Sequence, residues 1–287
     1  MLIKKILLPV DFPTSSLGVM QQAVTLAERF HSQIILLHVE TPERHEAGMP
    51  KQHEGIANSN LVAEVLRGTK QAFDASFRTK LESLAARGLL VKGDPAHAIL
   101  QAAEAENADL IMMPSHGHTF DEFLLGSVTA KVLRWRECPL WTGAHTEEPS
   151  AREFAIHNIL CAVDLGLRSQ EVASWAAQLA AEFGAQLTLS NVTESMAILA
   201  PGGTWTNPQY QQPLVDDALQ RLTQLQKNLS IKTDLLVGIG DVPKALNQMA
   251  KTVKAELLVL ECYPYSGNLR MHGYAIICTV SIPVLSV

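Results

Sequence analysis

The chain has 287 residues, enough for two ordinary domains, and 47% of them are apolar, enough to build two cores. With 18% charged residues it lacks the composition of a disordered chain. The net charge of −6, with one basic knot at residues 131–136 (KVLRWR) that suits the end of a helix, argues against nucleic-acid and membrane-surface partners.

Residues 3–10 form a short apolar run closed by Asp11 and predict a buried strand. Residues 15–30 carry Leu17, Met20, Val24 and Ala27 at helical spacing, with Ser15 or Ser16 as the N-cap. A strand follows over 33–39, then a polar loop over 40–58 and a long amphipathic helix over 59–87. The spacing next predicts a strand at 89–92, a helix at 94–106, a strand at 109–114, a helix at 126–136 and a last strand at 139–141. Residues 143–155 are polar, contain Pro149 and read as a linker.

Beyond the linker the pattern starts again. Ile6-Leu7-Leu8-Pro9-Val10-Asp11 is matched by Ile159-Leu160-Cys161-Ala162-Val163-Asp164, and Ala27, Phe30, Gln33 and Val39 by Ala180, Phe183, Gln186 and Val192. Further on, Gly93-Asp94, Ala98, Gln101 and Leu110 are matched by Gly240-Asp241, Ala245, Gln248 and Leu257. Two copies of one domain are therefore expected, over residues 1–145 and 155–287. Strands alternate with helices and are continuously apolar. Each copy is thus expected to be α/β and Rossmann-like, a doubly wound and mostly parallel five-stranded sheet flanked by helices.

Cys138, Cys161, Cys262 and Cys278 form no C-x-x-C pair and lie in or beside apolar runs, so reduced thiols and a cytoplasmic setting are expected. The run MLIKKILLPVDF is too short and interrupted for a signal peptide, and no apolar run is long enough to span a bilayer.

In such sheets ligands bind beyond the carboxyl ends of the strands, where strand order reverses. The residues reaching those ends are Pro9, Val10 and Asp11, then Val39, then Met113, running through Pro114-Ser115-His116-Gly117-His118 towards Gly126-Ser127-Val128. Gly126-Ser127 opens a helix directly after that loop, so its amides make a generic anion site or serve as a plain N-cap. Gly117 permits a tight turn or close approach to a phosphate. Asp11 offers a carboxylate to ribose hydroxyls or an adenine amino group, or equally caps the next helix. His116 and His118 lack further ligands at metal spacing, and no metal is expected. No G-x-S-x-G, H-E-x-x-H or G-x-x-x-x-G-K-[ST] occurs, and Gly68-Thr69-Lys70 falls inside a predicted helix. Catalysis is not expected.

The run Met112-Met113-Pro114-Ser115-His116-Gly117, with Leu124-Leu125-Gly126-Ser127-Val128-Thr129-Ala130-Lys131-Val132-Leu133 and Cys138-Pro139, resembles the nucleotide loop of universal stress proteins. Pro9-Val10-Asp11 and Val91-Lys92-Gly93-Asp94-Pro95 are similar to other signatures of that family. The resemblance covers essentially the whole chain, in a tandem form. It implies a fold of the adenine nucleotide alpha hydrolase type, a part in stress response, and an ATP or AMP, with Mg²⁺, bound in the first copy as a sensor. It places that nucleotide on Asp11, Val39, Gly117, Gly126 and Ser127, and the strand ends and loop beside them add Pro9, Val10, Met113, His118 and Val128 as candidates. ATP-binding members carry G-x-x-G, nine residues, then G-[ST]. Here Pro114 takes the first glycine's place, and eight residues separate Gly117 from Gly126. Proline has no N–H to give, so one backbone contact is lost.

The second copy departs further. Glu261 stands where Pro114 does, Pro264 where Gly117 does, and Gly273-Tyr274 where Gly126-Ser127 do. Its helix is expected at 274–280, shorter by about a turn, and Asp164 persists without its partners. This copy is expected to be a structural or pairing partner. Each copy ends in a short strand after proline, Pro139 and Pro283. The resemblance implies that these edge strands pair, here as an intramolecular pseudo-dimer, with a homodimer as a further level. The alternatives are an interaction protein with a vestigial cleft and a slow ATP hydrolase.

Overall fold

The computed structural model describes residues 3–10, 17–41, 56–57, 63, 75–115, 125–144, 154–193, 197–200, 203–206, 208–261 and 268–287. The chain divides into two units, Met1–Phe154 and Ala155–Val287.

In the first unit the elements are β1 (Lys5–Pro9), α1 (Leu17–Phe30), β2 (Gln33–Glu40), β3 (Ile56–Ala57), α2 (Ala75–Leu84), β4 (Ala85–Lys92), α3 (Pro95–Glu106), β5 (Leu110–Met113), α4 (Ser127–Trp135) and β6 (Leu140–Thr142). The sheet runs β6-β5-β1-β2-β4, all parallel, with β3 antiparallel on β4. The order reverses between β1 and β5, as expected of a doubly wound sheet. Strands β1 and β5 are continuously apolar because helices cover both of their faces: Ile6, Leu7, Leu8, Ile111 and Met112 have no exposed surface. Helix α1 packs with α2, and α3 with α4.

The second unit holds β7 (Asn158–Ala162), α5 (Ser169–Phe183), β8 (Gln186–Thr193), β9 (Ala197–Ala200), β10 (Gly203–Thr206), α6 (Pro208–Lys227), β11 (Thr233–Ile239), α7 (Val242–Val253), β12 (Leu257–Leu260), α8 (Asn268–Thr279) and β13 (Val284–Ser286). Its five parallel strands run β11-β8-β7-β12-β13, the same order as in the first unit. Strands β9 and β10 form a separate antiparallel hairpin.

Three expectations are corrected. The helix expected over 59–87 ends at Leu84, and β4 begins at Ala85. Ala85, Ala86 and Arg87 suit a helix, but the open edge of β2 takes them: Ile34 pairs Ala85 and Ile35 pairs Arg87 around a one-residue bulge. The loop expected over 40–58 contributes β3. The helix expected at 274–280 starts earlier, at Asn268, and carries Gly273 inside it. A glycine there costs about 1 kcal/mol relative to alanine, which the apolar packing of Ile276 and Ile277 offsets.

The repeat is exact at the third helix of each copy. Asp94 caps α3 by accepting from the His97 amide at 3.1 Å, and Asp241 caps α7 by accepting from the Lys244 amide at 3.1 Å. The His97 amide holds the Asp94 carboxyl below its ordinary range. A depressed carboxyl stabilises above its unfolded value, and that stability is lost as pH falls through the lowered one. Asp94→Ala is therefore expected to cost about 1 kcal/mol at neutral pH. Thermal unfolding should show that difference shrinking on acidification.

Candidate functional site

The crevice at the strand-order reversal of the first unit lies between the carboxyl ends of β1 and β5. β1 delivers Pro9 and Val10 to it. The Val10 amide donates to the Leu37 carbonyl at 2.8 Å, which carries the β1–β2 ladder one residue past the strand. The Val10 carbonyl lies 3.0 Å from His38 Nδ1. A carbonyl only accepts, so Nδ1 bears the proton and the ring is locked beside Val10. The second unit repeats this arrangement. The Val163 amide donates to Ser190 O at 3.0 Å, and Asn191 Nδ2 donates to Val163 O at 2.8 Å. His38 was not singled out from sequence as a site residue. The signal that finds it is its alignment with Asn191, since both offer an N–H donor.

β5 delivers Met113, Pro114 and Ser115. Two bonds bolt the start of α4 to them. The Gly126 amide donates to the Ser115 carbonyl at 3.0 Å, and Thr129 Oγ1 donates to the Pro114 carbonyl at 3.1 Å. Gly126 is the N-cap, with φ −53° and ψ 140°, and has no side chain with which to cap the helix. The helical ladder starts at Ala130, which donates to Gly126 at 2.8 Å. The amides of Ser127, Val128 and Thr129 therefore precede the ladder and concentrate partial positive charge there. Ser127 is exposed, Gly126 and Val128 are half-buried, and Leu125 beneath them is buried. Thus Pro9, Val10 and Met113 stand at the ends of neighbouring strands, with Gly126, Ser127 and Val128 at a helix start tied to one of them. Val39 lies farther out on β2, paired to Val91. Asp11, Gly117 and His118 lie outside the described residues.

The corresponding crevice of the second unit is spanned by the protein itself. Glu261, at the end of β12, is only 5% exposed. Its Oε2 accepts from Ser169 Oγ at 2.9 Å and from the Asp164 amide at 3.4 Å. Ser169 is the first residue of α5 and is fully buried. The Glu261 carboxylate thus joins the end of β12 to the loop after β7, and supplies an anion to the α5 N-terminus from within the chain. A Cβ on Gly166 would lie 4.0 Å from Glu261 Oε1, so the carboxylate also sits beside that loop. Ser169→Ala removes the hydroxyl from a buried carboxylate and is expected to cost about 1–3 kcal/mol. Thermal unfolding monitored on the second unit checks it. Gly273 is not at the start of α8, so the helix-entrance amides of the first unit have no counterpart at that position.

A search with protein-family models finds the universal stress protein family over residues 2–142 and again over 155–271. The chain belongs to the universal stress protein family. Two universal stress protein domains lie in tandem, and the general role this assigns is the family's part in stress response. Universal stress protein MJ0577 of Methanocaldococcus jannaschii is 31% identical over 156 residues, 48% of this chain and 92% of that protein. A universal stress protein of Thermus aquaticus is 30% identical over 138 residues, 48% of this chain and 96% of its own length. Among solved structures, PA1789 of Pseudomonas aeruginosa, a protein of unknown function, covers 99% of this chain and 92% of its own, with a TM-score of 0.69 at 18% identity. A universal stress protein of Archaeoglobus fulgidus covers 99% and 96%, with a TM-score of 0.61 at 17% identity. At those identities the likeness is one of fold.

Among the described residues no group of three metal-ligating side chains converges, and no helix is long and apolar enough to cross a membrane. Burial pushes the Cys138 thiol up to about 11, and burial with the nearby Glu261 carboxylate pushes Cys161 up further. Both thiols stay protonated at neutral pH and are poor nucleophiles.

Proposed function

We propose that the first unit binds an adenine nucleotide, ATP or AMP, and that the chain reads nucleotide state in a stress response rather than catalysing a reaction. The observation that carries this reading is the start of α4 held against the end of β5 at the strand-order reversal. An anion seated there meets the amides of Ser127, Val128 and Thr129. The β1 end, with Pro9 and Val10, is adjacent and suits the nucleoside. Mg²⁺ would come with the phosphates rather than from a protein cage. Membership of the family supports the reading, and so does the contrast with Glu261. In the first crevice the α4 start presents amides that suit a ligand anion, and in the second the Glu261 carboxylate lies at the start of α5. The tandem architecture supports reading the two units as an intramolecular pseudo-dimer, and the reduced-thiol composition supports a cytoplasmic setting.

Mass spectrometry of the purified chain tests the reading directly. An adenine nucleotide released on denaturation, and a rise in unfolding temperature with ATP and Mg²⁺, are the expected results. No released nucleotide and no thermal shift would sink it. That outcome would favour the second reading, a protein-interaction role with a vestigial cleft, to which the missing N–H of Pro114 points.

A further inference from the structure

We propose that β11 is a pairing edge through which two copies of this chain join, antiparallel, about a two-fold axis at Val237. β11 ends the sheet of the second unit, with β8 on one side and, among the described residues, no strand on the other. It runs seven residues, TDLLVGI, in unbroken register with β8. Natural edges are blunted by lysine, proline, bulges or shortness, and β11 has none of these. Leu235, Leu236 and Val237 are half-exposed, and Ile239 is 48% exposed.

The backbone polarity of this edge follows from two bonds. The Gly240 amide donates to Thr193 O at 3.0 Å, and the Gly238 carbonyl accepts from Thr193 Oγ1 at 3.3 Å. Residues of that parity aim their backbone groups at β8. By the two-residue alternation of a strand, Leu235, Val237 and Ile239 aim theirs away from it. Thr233 shares their parity, and its carbonyl is taken by Gln226 Nε2 at 2.6 Å. The three outward residues are symmetric about Val237. On that axis Leu235 of one copy exchanges hydrogen bonds with Ile239 of the other, and Val237 with its equivalent. Asp234, the only charged residue of the strand, then faces Gly240, so no like charges meet.

Two further features select a second copy as the occupant. The equivalent strand of the first unit, β4, already carries an antiparallel strand on this edge: β3 pairs Ile56 with Leu90 and Ala57 with Leu89. This edge of the fold therefore accepts that direction, and the β11 edge is its own complement. The strand is also held straight from behind. A Cβ on Gly238 would come within 2.8 Å of Met249 Sδ, so α7 packs directly on the strand's backbone.

Sedimentation of the full chain from micromolar to hundreds of micromolar tests the proposal, with far-UV dichroism and thermal unfolding as fold controls. The wild-type chain is expected to dimerise. The double variant Leu235→Lys with Ile239→Lys sets lysine against lysine in both flanking pairs and is expected to be monomeric, with a dimerisation constant at least tenfold weaker. Leu235→Glu with Ile239→Lys sets opposite charges in the same pairs and is expected to restore the dimer. Should the lysine pair unfold the chain, hydrogen exchange of the wild type decides. The Leu235, Val237 and Ile239 amides are then expected to gain protection with concentration. A monomeric wild type, a dimer that survives the lysine pair with the fold intact, or exchange at those amides that ignores concentration would each overturn it.

Discussion

Trp141→Ala is expected to destabilise the first unit by about 3–5 kcal/mol, the largest single effect predicted for this chain. Trp141 is 1% exposed on β6, the short strand beside β5. Its ring meets Phe154 edge to face at a centroid distance of 6.1 Å, and its Nε1 donates to Gln22 Oε1 on α1 at 2.5 Å. One side chain thus joins the last strand, the first helix and the residue that ends the unit. Alanine forfeits the buried area, the ring contact and the hydrogen bond together. Trp141→Phe keeps most of the volume and is expected to lose about 1 kcal/mol for the hydrogen bond alone. Because two units unfold, a single global midpoint would mix them. Native-state hydrogen exchange resolves the effect. The amides of Ile6, Leu7, Leu8 and Ile111 should lose protection, while those of Ile159 and Leu160 keep theirs. A loss below about 1 kcal/mol for Trp141→Ala would show that the ring is not anchoring the unit.

Gly126→Val is expected to weaken adenine nucleotide binding at least tenfold, about 1.4 kcal/mol, with a smaller effect on stability. The backbone at Gly126, φ −53° and ψ 140°, is open to any residue, so strain is not the cause. The valine side chain instead stands at the entrance to α4, where a ligand anion must approach the amides of Ser127 and Val128. Valine is also a poor N-cap, which costs about 1 kcal/mol of stability. Calorimetric titration beside thermal unfolding separates the two effects. Unchanged affinity in Gly126→Val would remove the α4 entrance from the site. Asp11→Ala is the independent probe from the β1 side.

Much of this architecture was legible because the sequence states it twice. Ile6-Leu7-Leu8 and Ile159-Leu160-Cys161 each read as a buried strand, and each is one. Gly93-Asp94 and Gly240-Asp241 each read as a helix start, and each aspartate is a cap. What was not legible depends on partners distant in sequence. Nothing local in Ala85, Ala86 and Arg87 favours a strand, and the open edge of β2 decides it. Ile56–Ala57 is too short to carry a period, so β3 was hidden in a polar stretch. The early start of α8 at Asn268 gave no signal, because Gly273 is a stronger local punctuation than anything before it.

The site was legible as a set of strand ends and one helix start, and only in part. Pro9, Val10, Met113 and Gly126 follow from the parallel order alone. The bonds that position them, His38 to Val10, Thr129 to Pro114 and Gly126 to Ser115, join residues whose partners no spacing reveals. Glu261 shows the limit most clearly. From sequence it is only the residue that stands where Pro114 does in the first copy. In the fold it is a bound group, satisfied by Ser169 and the Asp164 amide. In the second copy an internal bond joins the end of β12 to the loop after β7 and the start of α5.

That asymmetry between two equal folds is the centre of the account, and a binding stoichiometry tests it most directly. Equilibrium titration of the full chain with ATP and Mg²⁺ is expected to saturate at one nucleotide per chain, with the affinity at least tenfold weaker in Gly126→Val and unchanged in Ser169→Ala. Saturation at two per chain, or an affinity unchanged in Gly126→Val and lost in Ser169→Ala, would contradict it.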